Sequence, residues 1–417
     1  MEEKEARTIS LLTASQCLSS TLEGRRNAMA KDSTRCVHEG EPFDAESGSV
    51  VTPIYETTTF AFTEAEEARK AVAGESDRCA YTRWGNPTTI RLEKKLASLE
   101  GAEDAAFFSS GMAAISTSVL TFLSAGDHAV AIRDLYGGTF ELMSKILPRL
   151  GVKTTLVDTE DQQAMKDAMK PNTKLVHIET PTNPTLKVVD IAKAARIAHE
   201  AGALLFVDNT FASPINQKPI ELGADLVLHS ATKYLNGHAD VTAGAAVGGR
   251  ENVEKINHLR RDLGGTLDPL ASWLVLRGMK TMALRVRAQN ESAMALAEFL
   301  SRHRRVKAVH YPGLKGHPQH ALAKRQMSGY GGMMSFEPNG SMKDAMRLTE
   351  RLKVALLAAS LGGVVTLVSQ PSLMTHTQLT AAERAKTGIP ESLIRLSVGI
   401  EDKEDLIADF KQALESL

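Results

Sequence analysis

The chain has 417 residues, 43% of them hydrophobic, and its 49 basic and 50 acidic side chains leave a net charge of −1 at neutral pH. This balance gives no indication of binding to nucleic acid or to an anionic membrane, so a small molecule is the expected ligand. The length exceeds that of one compact core and predicts two domains. No apolar run reaches transmembrane length, so no membrane span is expected.

The beginning of the chain has the character of an extension. Its first thirty residues combine early glutamates with scattered serines, which argues against a secretory signal or a transit peptide. The three cysteines all lie in the first fifth of the chain and do not form a disulfide framework. We therefore expect residues 1–33 to be disordered and the protein to be cytoplasmic.

Residues 34–85 are expected to form an extended arm, because prolines and glycines interrupt them on both sides of a β-rich run at 54–60. The arm ends in Tyr81 and Arg83, which are two residues apart and face the same way on an extended chain. From the residues alone, the pair would be explained as a packed aromatic turn beside a solvated arginine.

Between about residues 86 and 250, buried-strand patterns alternate with helical ones, which predicts a mostly parallel sheet with its loops at one edge. After the first strand, hydroxyl residues and a glycine open a helix. There, Gly111 and Met112 would present free backbone N–H groups to a phosphate. Such turns are common in α/β proteins, so this signal is weak by itself.

Two further loops carry polar candidates at the same edge. Tyr136 follows the strand at 128–132, where it would either close the core or expose an aromatic face with an acidic hydroxyl. Asn183 lies between two prolines after the strand at 175–178. Its amide would either form a turn or donate to an anionic oxygen of a ligand.

The next two strands end in an aspartate and a lysine. Asp208 follows the run at 203–207, and Lys233 follows the run at 226–228, with Ser230 and Thr232 just before it. A pyridine cofactor held by a lysine as a Schiff base needs a carboxylate at its ring nitrogen, so the two residues suit those roles. Taken alone, Lys233 would more simply be a solvated surface lysine.

A helical stretch from 268 to about 300 is expected to lead into a smaller α/β domain. In it, the segments at 311–314 and 317–320 are predicted to form a surface turn, and prolines break the spacing of the nearby histidines, so no metal site is expected. Arg395 lies in an otherwise apolar strand and needs a partner. A substrate carboxylate or a structural ion pair would each satisfy it.

Three separated motifs resemble the pyridoxal-phosphate enzymes of cysteine and methionine metabolism, the trans-sulfuration family: VDNT at 207–210, SATKYLNGH at 230–238 and RLSVG at 395–399. The resemblance covers nearly everything after about residue 35. It implies an α/β fold of the aspartate-aminotransferase-like type (fold type I) and pyridoxal 5'-phosphate as cofactor. The PLP-binding domain would span 86–284 and the C-terminal domain 285–417.

The resemblance also implies roles for individual residues, with Lys233 and Tyr136 as the catalytic groups. Cofactor contacts are expected from Tyr81, Arg83, Gly111, Met112, Tyr136, Asp208, Ser230, Thr232 and Lys233. Substrate contacts are expected from Glu56, Asn183, Ser360 and Arg395. Because Tyr81 and Arg83 would reach the phosphate of a neighbouring chain, the family implies a dimer with shared sites and, further, a tetramer.

The resemblance is strongest to cystathionine γ-lyases, in the loop at 179–185 and the segment at 311–326. Gly138 stands where methionine γ-lyases typically carry a cysteine, which argues against methionine as the preferred substrate. Ala359 stands where cystathionine γ-lyases and synthases commonly carry a glutamate, so the methionine lyase and the γ-replacement transferase stay open as alternatives. A non-catalytic relative would be expected to have lost Lys233 or Asp208.

Overall fold

The computed structural model describes residues 31–41, 44, 47–374, 384 and 388–417. Of the extension predicted at 1–33, residues 1–30 lie outside the described part. The next residues already enter a helix, α1, at Asp32–His38. Within the described ranges, no helix is both long and apolar enough to cross a membrane.

The arm is more regular than predicted at one point and less regular at another. It contains a second helix, α2 at Ala65–Ala73, which ends at Gly74 with a left-handed φ of 74°. The β-rich run at 54–60 does not form a strand, because its only strand-like pairing is an isolated bridge between Thr59 and Tyr81. Strand propensity alone does not make a strand; it needs a ladder of cross-strand pairs.

The larger domain is built on a seven-stranded sheet in the order β1-β7-β6-β5-β4-β2-β3. Only β7 runs against its neighbours. The strands are β1 Asp104–Phe108, β2 His128–Ile132, β3 Lys153–Val157, β4 Thr173–Glu179, β5 Leu204–Asp208, β6 Leu226–His229 and β7 Gly244–Gly248. The inner strands are largely apolar and mostly buried on both faces, as parallel strands between helices require.

Helices cover both faces of this sheet and carry the chain back between parallel strands. They are α3 Pro87–Glu100, α4 Gly111–Phe122, α5 Gly137–Glu141, α6 Leu147–Arg149, α7 Gln162–Asp167, α8 Ile191–Glu200, α9 Ser213–Asn216 and α10 Arg250–Leu263. A π-helical turn at Leu142–Ile146 joins α5 to α6, and a 3₁₀ turn lies at Pro219–Leu222. Because these strands are parallel, their carboxyl ends and the loops that follow them lie at one edge of the sheet.

The linking region forms two helices where one continuous stretch was predicted, α11 Pro269–Met279 and α12 Met282–Arg302, with Lys280 and Thr281 between them. Helix α12 packs against both hydrophobic cores: Val286 belongs to the core of the larger domain and Ala293 to the second core. It therefore connects the two sheets physically.

The second sheet has five strands in the order β10-β11-β12-β9-β8. Its strands are β8 Val306–His310, β9 Met333–Pro338, β10 Leu356–Leu357, β11 Leu367–Ser369 and β12 Ile394–Ser397, and its helices are α13 His320–Gln326, α14 Met342–Arg351, α15 Pro371–Met374 and α16 Lys403–Glu415. The predicted fold class, a mostly parallel α/β domain with a smaller second domain, is confirmed.

One local prediction in this domain was right about the turn, in which the Leu314 N–H donates to the Tyr311 carbonyl oxygen, but wrong about the exposure of Tyr311. The surface turn expected at 311–314 contains Tyr311, which is fully buried and donates a hydrogen bond of 2.9 Å to the Gly331 carbonyl oxygen. Its ring also lies edge-on to Tyr330. A buried tyrosine needs a partner for its hydroxyl, and here a distant glycine carbonyl provides it.

Candidate active site

A cavity of about 590 Å³ lies at the sheet edge where the parallel strands end. It brings together residues from both sheets that are far apart in sequence. Its lining includes these predicted site residues: Gly111, Met112, Tyr136, Asn183, Asp208, Ser230, Thr232, Lys233, Ser360 and Arg395. Glu56, Tyr81 and Arg83 do not line it.

Lys233 points its amine across the cavity. The Nζ atom donates a hydrogen bond of 2.8 Å to the hydroxyl oxygen of Ser360. Burial, and to a lesser degree the positive charge of Arg395, lower the pKa of the Lys233 ammonium to about 8. A lysine in this state supplies far more neutral, nucleophilic amine near neutral pH than a surface lysine does.

Arg395 lies on β12 and is buried. Its Nη1 donates to Asn183 Oδ1 at 2.9 Å and its Nη2 to the Ser360 carbonyl oxygen at 3.2 Å. Both acceptors are neutral. Burial lowers the pKa of the guanidinium to about 10. The arginine is therefore held in place while its charge remains available to an anionic ligand.

Asp208 is the last residue of β5 and accepts a hydrogen bond of 3.0 Å from the Thr210 N–H. Burial raises the pKa of this carboxyl group, while the bonds from Thr210 and the nearby His229 lower it. On the adjacent strand, Glu179 is in register with Asp208. Glu179 was not among the predicted site residues, although it ends a buried strand as Asp208 does, and that signal could have identified it.

The beginning of α4 forms a cradle for an anion. Ser110 caps the helix through a hydrogen bond of 3.1 Å from the Ala113 N–H, and the first N–H groups of a helix have no intrahelical acceptor. A Cβ on Gly111 would lie 2.9 Å from the Cβ of Ser230, so only glycine allows the helix to approach that residue so closely.

Thr232 faces the same cradle, but its hydroxyl is already engaged. Its Oγ1 donates to the Ala243 carbonyl oxygen at 3.1 Å and accepts from the Ala243 N–H at 2.9 Å. The hydroxyl proton therefore points to the protein rather than into the cavity, and direct donation to a phosphate would require this hydrogen bond to be exchanged.

Tyr136 immediately precedes α5 and is 48% exposed. Its backbone N–H donates to Glu179 Oε2 at 2.8 Å. A Cβ on Gly138 would lie 2.9 Å from the Tyr136 ring and 2.8 Å from the Met112 sulfur. The glycine therefore lets the Tyr136 ring and Met112 approach the same point.

These residues fit pyridoxal phosphate. The cavity contains an amine with a lowered pKa, a buried carboxylate for a ring nitrogen, an aromatic side chain and a glycine-lined helix start for a phosphate. Across the described ranges, no cluster of His, Cys, Asp and Glu side chains is arranged to hold a metal ion.

Three predicted residues lie on the surface of the described chain. Arg83 Nη1 donates to the Arg261 carbonyl oxygen at 2.7 Å, and its guanidinium carbon lies 5.8 Å from the centre of the Tyr81 ring. Glu56 is exposed on the arm. Their predicted contribution to the site of a partner chain stays a prediction.

Residues 33–415 match the model of the family described as "Cys/Met metabolism PLP-dependent enzyme". The chain is 46% identical over 373 residues to L-methionine gamma-lyase of Fusobacterium nucleatum subsp. polymorphum, covering 89% of this chain and 94% of the relative. It is 45% identical over 388 residues to cystathionine gamma-lyase of Bacillus subtilis, covering 93% and 100%. The structure of cystathionine gamma-lyase from Lactobacillus plantarum, complexed with L-serine, aligns with a TM-score of 0.87 and 42% identity over 93% of this chain and 99% of that one.

Relatives at similar identity have other reactions in their names. Cystathionine beta-lyase of Lactococcus lactis subsp. cremoris is 46% identical, over 93% of this chain and 100% of the relative. Cystathionine gamma-synthase 1 of Arabidopsis thaliana is 42% identical, over 95% and 71%. Overall identity therefore does not select one reaction.

Proposed function

The chain belongs to the Cys/Met metabolism PLP-dependent enzyme family, and we propose that it cleaves L-cystathionine between the γ carbon and the sulfur. With one water consumed, the products are L-cysteine, 2-oxobutanoate and ammonia. The observation that best supports this proposal is the meeting of Lys233, Asp208 and Arg395 in one cavity. They would supply a nucleophilic amine, a partner for the ring nitrogen and a clamp for the substrate carboxylate.

Lys233 would hold the cofactor covalently, Asp208 would bond its ring nitrogen, and the start of α4 would bind its phosphate. When bound, pyridoxal phosphate supplies an electron sink that acidifies the α and β carbons of an amino acid. Once a substrate amine had replaced it on the cofactor, the Nζ of Lys233 would accept the proton from the α carbon, give it up, and then accept a proton from the β carbon.

Arg395 would orient the substrate. Its hydrogen bonds to Asn183 and Ser360 hold the guanidinium, and a bidentate bond to the α-carboxylate would fix the α carbon near Lys233. Tyr136 would donate its hydroxyl proton to the leaving sulfur, because its half-exposed ring lines the cavity.

A second candidate is cleavage of methionine. Ala359 lines the cavity together with the apolar side chains of Phe211, Leu361 and Met374, and this wall suits a methylthio group better than a distal ammonium. Relatives named L-methionine gamma-lyase are 46% identical to this chain. The glycine at 138, where those enzymes typically have cysteine, keeps cystathionine first.

We also infer that the protein is cytoplasmic and, from the family resemblance, that it forms a homotetramer built from two dimers with shared sites. Arg83 and Tyr81 support this inference, because they are exposed near each other on the arm and cannot serve the cavity of their own chain as described.

The test is to incubate the purified enzyme with cystathionine, with methionine, with cysteine, and with an activated homoserine plus a thiol, and to identify the products. The proposal expects 2-oxobutanoate and cysteine from cystathionine at the highest kcat/KM. Pyruvate and homocysteine would indicate β cleavage, methanethiol would favour the methionine lyase, and a thioether without 2-oxobutanoate would favour the transferase.

A further inference from the structure

Glu179 is a buried carboxyl group in the candidate site that none of the roles above uses. It ends β4, in register with Asp208 on β5, and both residues line the cavity. Only 4% of its surface is exposed. A buried carboxyl group of this kind needs hydrogen-bond partners, and those it has are informative.

Glu179 contacts the backbone of two predicted site residues. Its Oε2 accepts a hydrogen bond of 2.8 Å from the Tyr136 N–H, and the Asn183 N–H lies close enough to the same carboxyl group to lower its pKa. Asn183 in turn accepts a hydrogen bond of 2.9 Å from Arg395 Nη1. A single carboxyl group therefore connects the loop that carries the aromatic ring to the loop that orients the arginine.

We propose that Glu179 is a positioning residue that couples the two halves of the site, holding Tyr136 over the cofactor and Asn183 against the substrate-binding arginine. The proposal rests on the roles proposed above for Tyr136 and Arg395. It predicts that disturbing this anchor weakens cofactor binding and substrate binding together, although Glu179 itself touches neither reacting carbon.

The charge state of Glu179 follows from its surroundings. Burial, followed by the negative charge of neighbouring Asp208, raises the pKa of the Glu179 carboxyl group well above its usual range. Hydrogen bonds from Thr210 and the nearby His229 lower the pKa of Asp208, whereas the acidic neighbours Asp208 and Asp134 raise that of Glu179. We therefore assign the negative charge to Asp208 and a neutral acid to Glu179, whose carbonyl oxygen accepts the hydrogen bond from the Tyr136 N–H.

Substitutions distinguish a neutral Glu179 that acts as a hydrogen-bond anchor from an ionised Glu179 that would offset the charge of Arg395. Glutamine has the shape of the neutral acid and keeps an acceptor oxygen, so Glu179→Gln tests the anchor without the charge. Methionine keeps the volume but has no oxygen, so Glu179→Met removes the anchor. Glu93→Gln is a control, because the Glu93 side chain is only 12% exposed and accepts a backbone N–H from Phe107, and its ion pair with Arg260 lies away from the cavity.

Two equilibrium titrations test the coupling without relying on turnover. One measures the Kd of the apoprotein for pyridoxal phosphate. The other measures the Kd of the loaded enzyme for L-norvaline, an amino acid without a γ leaving group, through the visible absorbance. For Glu179→Met we expect both constants to rise by roughly threefold to tenfold, as expected for the loss of one or two neutral hydrogen bonds. Glu179→Gln should stay within about twofold of the wild type.

The proposal is overturned if Glu179→Met changes neither constant or only one of them, or if Glu179→Gln is as weak as Glu179→Met. If Glu179→Met does not fold, Glu179→Asp replaces it, because the shorter side chain withdraws the oxygen from the Tyr136 N–H and should raise both constants. The norvaline measurement is independent of which sulfur substrate the enzyme cleaves, so failure of the proposed function leaves this result interpretable.

Discussion

The amine of Lys233 and the hydroxyl of Ser360 are 2.8 Å apart, and Ser360 has a φ of 95° that non-glycine residues rarely adopt. The strained serine comes from the smaller domain and the lysine from the larger one. Arg395 also bonds the Ser360 carbonyl oxygen. One residue therefore contacts both the proposed cofactor-binding amine and the proposed carboxylate clamp, which places the reacting end of the site at the domain boundary.

Replacing Lys233 with alanine should abolish turnover and the visible absorbance of covalently bound cofactor while leaving the fold intact. Within the described chain, no other lysine lines the cavity. The measurement is an absorption spectrum of the protein loaded with pyridoxal phosphate, with circular dichroism to check folding. Lys187→Ala is the control, because Lys187 pairs with Asp134 and Glu160 and should keep the spectrum. Full activity in Lys233→Ala would refute the assignment.

The rate at which the apoprotein captures pyridoxal phosphate should rise with pH, with a midpoint near the pKa of about 8 for Lys233. Only the neutral amine attacks an aldehyde. Arg395→Met should move the midpoint to higher pH, because loss of a nearby positive charge makes the ammonium easier to keep. Stopped-flow absorbance measures both rates. Arg325→Met, on the surface, should leave the midpoint unchanged, and an unchanged midpoint in Arg395→Met would remove the electrostatic argument.

The parts of the site that could be predicted from the sequence are those at strand ends. Asp208 and Lys233 follow apolar runs, so their common edge follows from parallel-sheet topology. Glu179 ends a strand in the same way, but its function depends on the N–H of Tyr136, 43 residues away, and no local pattern contains that contact.

Two other predictions from the sequence pattern failed because contacts with distant residues determine whether a segment forms a strand or is buried. The run at 54–60 has high strand propensity, yet in the described chain it finds only one strand-like pairing, through Thr59 and Tyr81. Tyr311 lies in a segment with turn-forming residues, yet its ring is buried. The ring packs edge-on against Tyr330, and its hydroxyl donates to the Gly331 carbonyl oxygen.

Arg83→Ala and Lys233→Ala, each inactive alone, should regain activity when unfolded and refolded together. In a mixed dimer, one site receives an intact lysine from its own chain and an intact arginine from the other. Random pairing would restore about a quarter of the wild-type activity. Arg78→Ala is the control, because Arg78 is paired on the arm with Glu67 and should be active without a partner. If heterodimers form and turnover stays absent, the sites are not shared.

His177 should make the protein less stable in acid. Burial lowers the pKa of its imidazole from 6.5 to about 4. As the pH falls below 6.5, the unfolded chain binds a proton that the folded chain excludes, so stability is lost down to about pH 4. At pH 5 the loss is about 2 kcal/mol, at about 1.4 kcal/mol per pH unit.

The unfolding temperature of His177→Leu should therefore fall less between pH 7.5 and pH 5 than that of the wild type, at fixed protein and cofactor concentration. His258→Gln is the control, because the His258 side chain is largely exposed rather than buried. Equal falls in His177→Leu and in the wild type would show that this histidine does not govern acid stability.

Replacing Glu56 with alanine should raise KM for cystathionine far more than KM for a substrate without a distal ammonium. Ala359 lines the cavity where a carboxylate is common in the family, so another acid would have to bind that ammonium. Glu56 is exposed on the arm and does not line the cavity of its own chain, so it would act on the site of a partner. A charge-assisted hydrogen bond is worth roughly 1.5–3 kcal/mol, which is on the order of tenfold or more in binding.

Steady-state kinetics on cystathionine and methionine, compared between wild type and Glu56→Ala, measures this effect, and Glu64→Ala controls for loss of another exposed acid on the arm. Ala359→Glu in the Glu56→Ala background should restore the lower KM for cystathionine alone, because it returns a carboxylate to the cavity wall. Equal changes on both substrates, or none, would show that Glu56 does not bind the far end of cystathionine. The apolar wall formed by Phe211, Leu361 and Met374 would then favour methionine as the substrate.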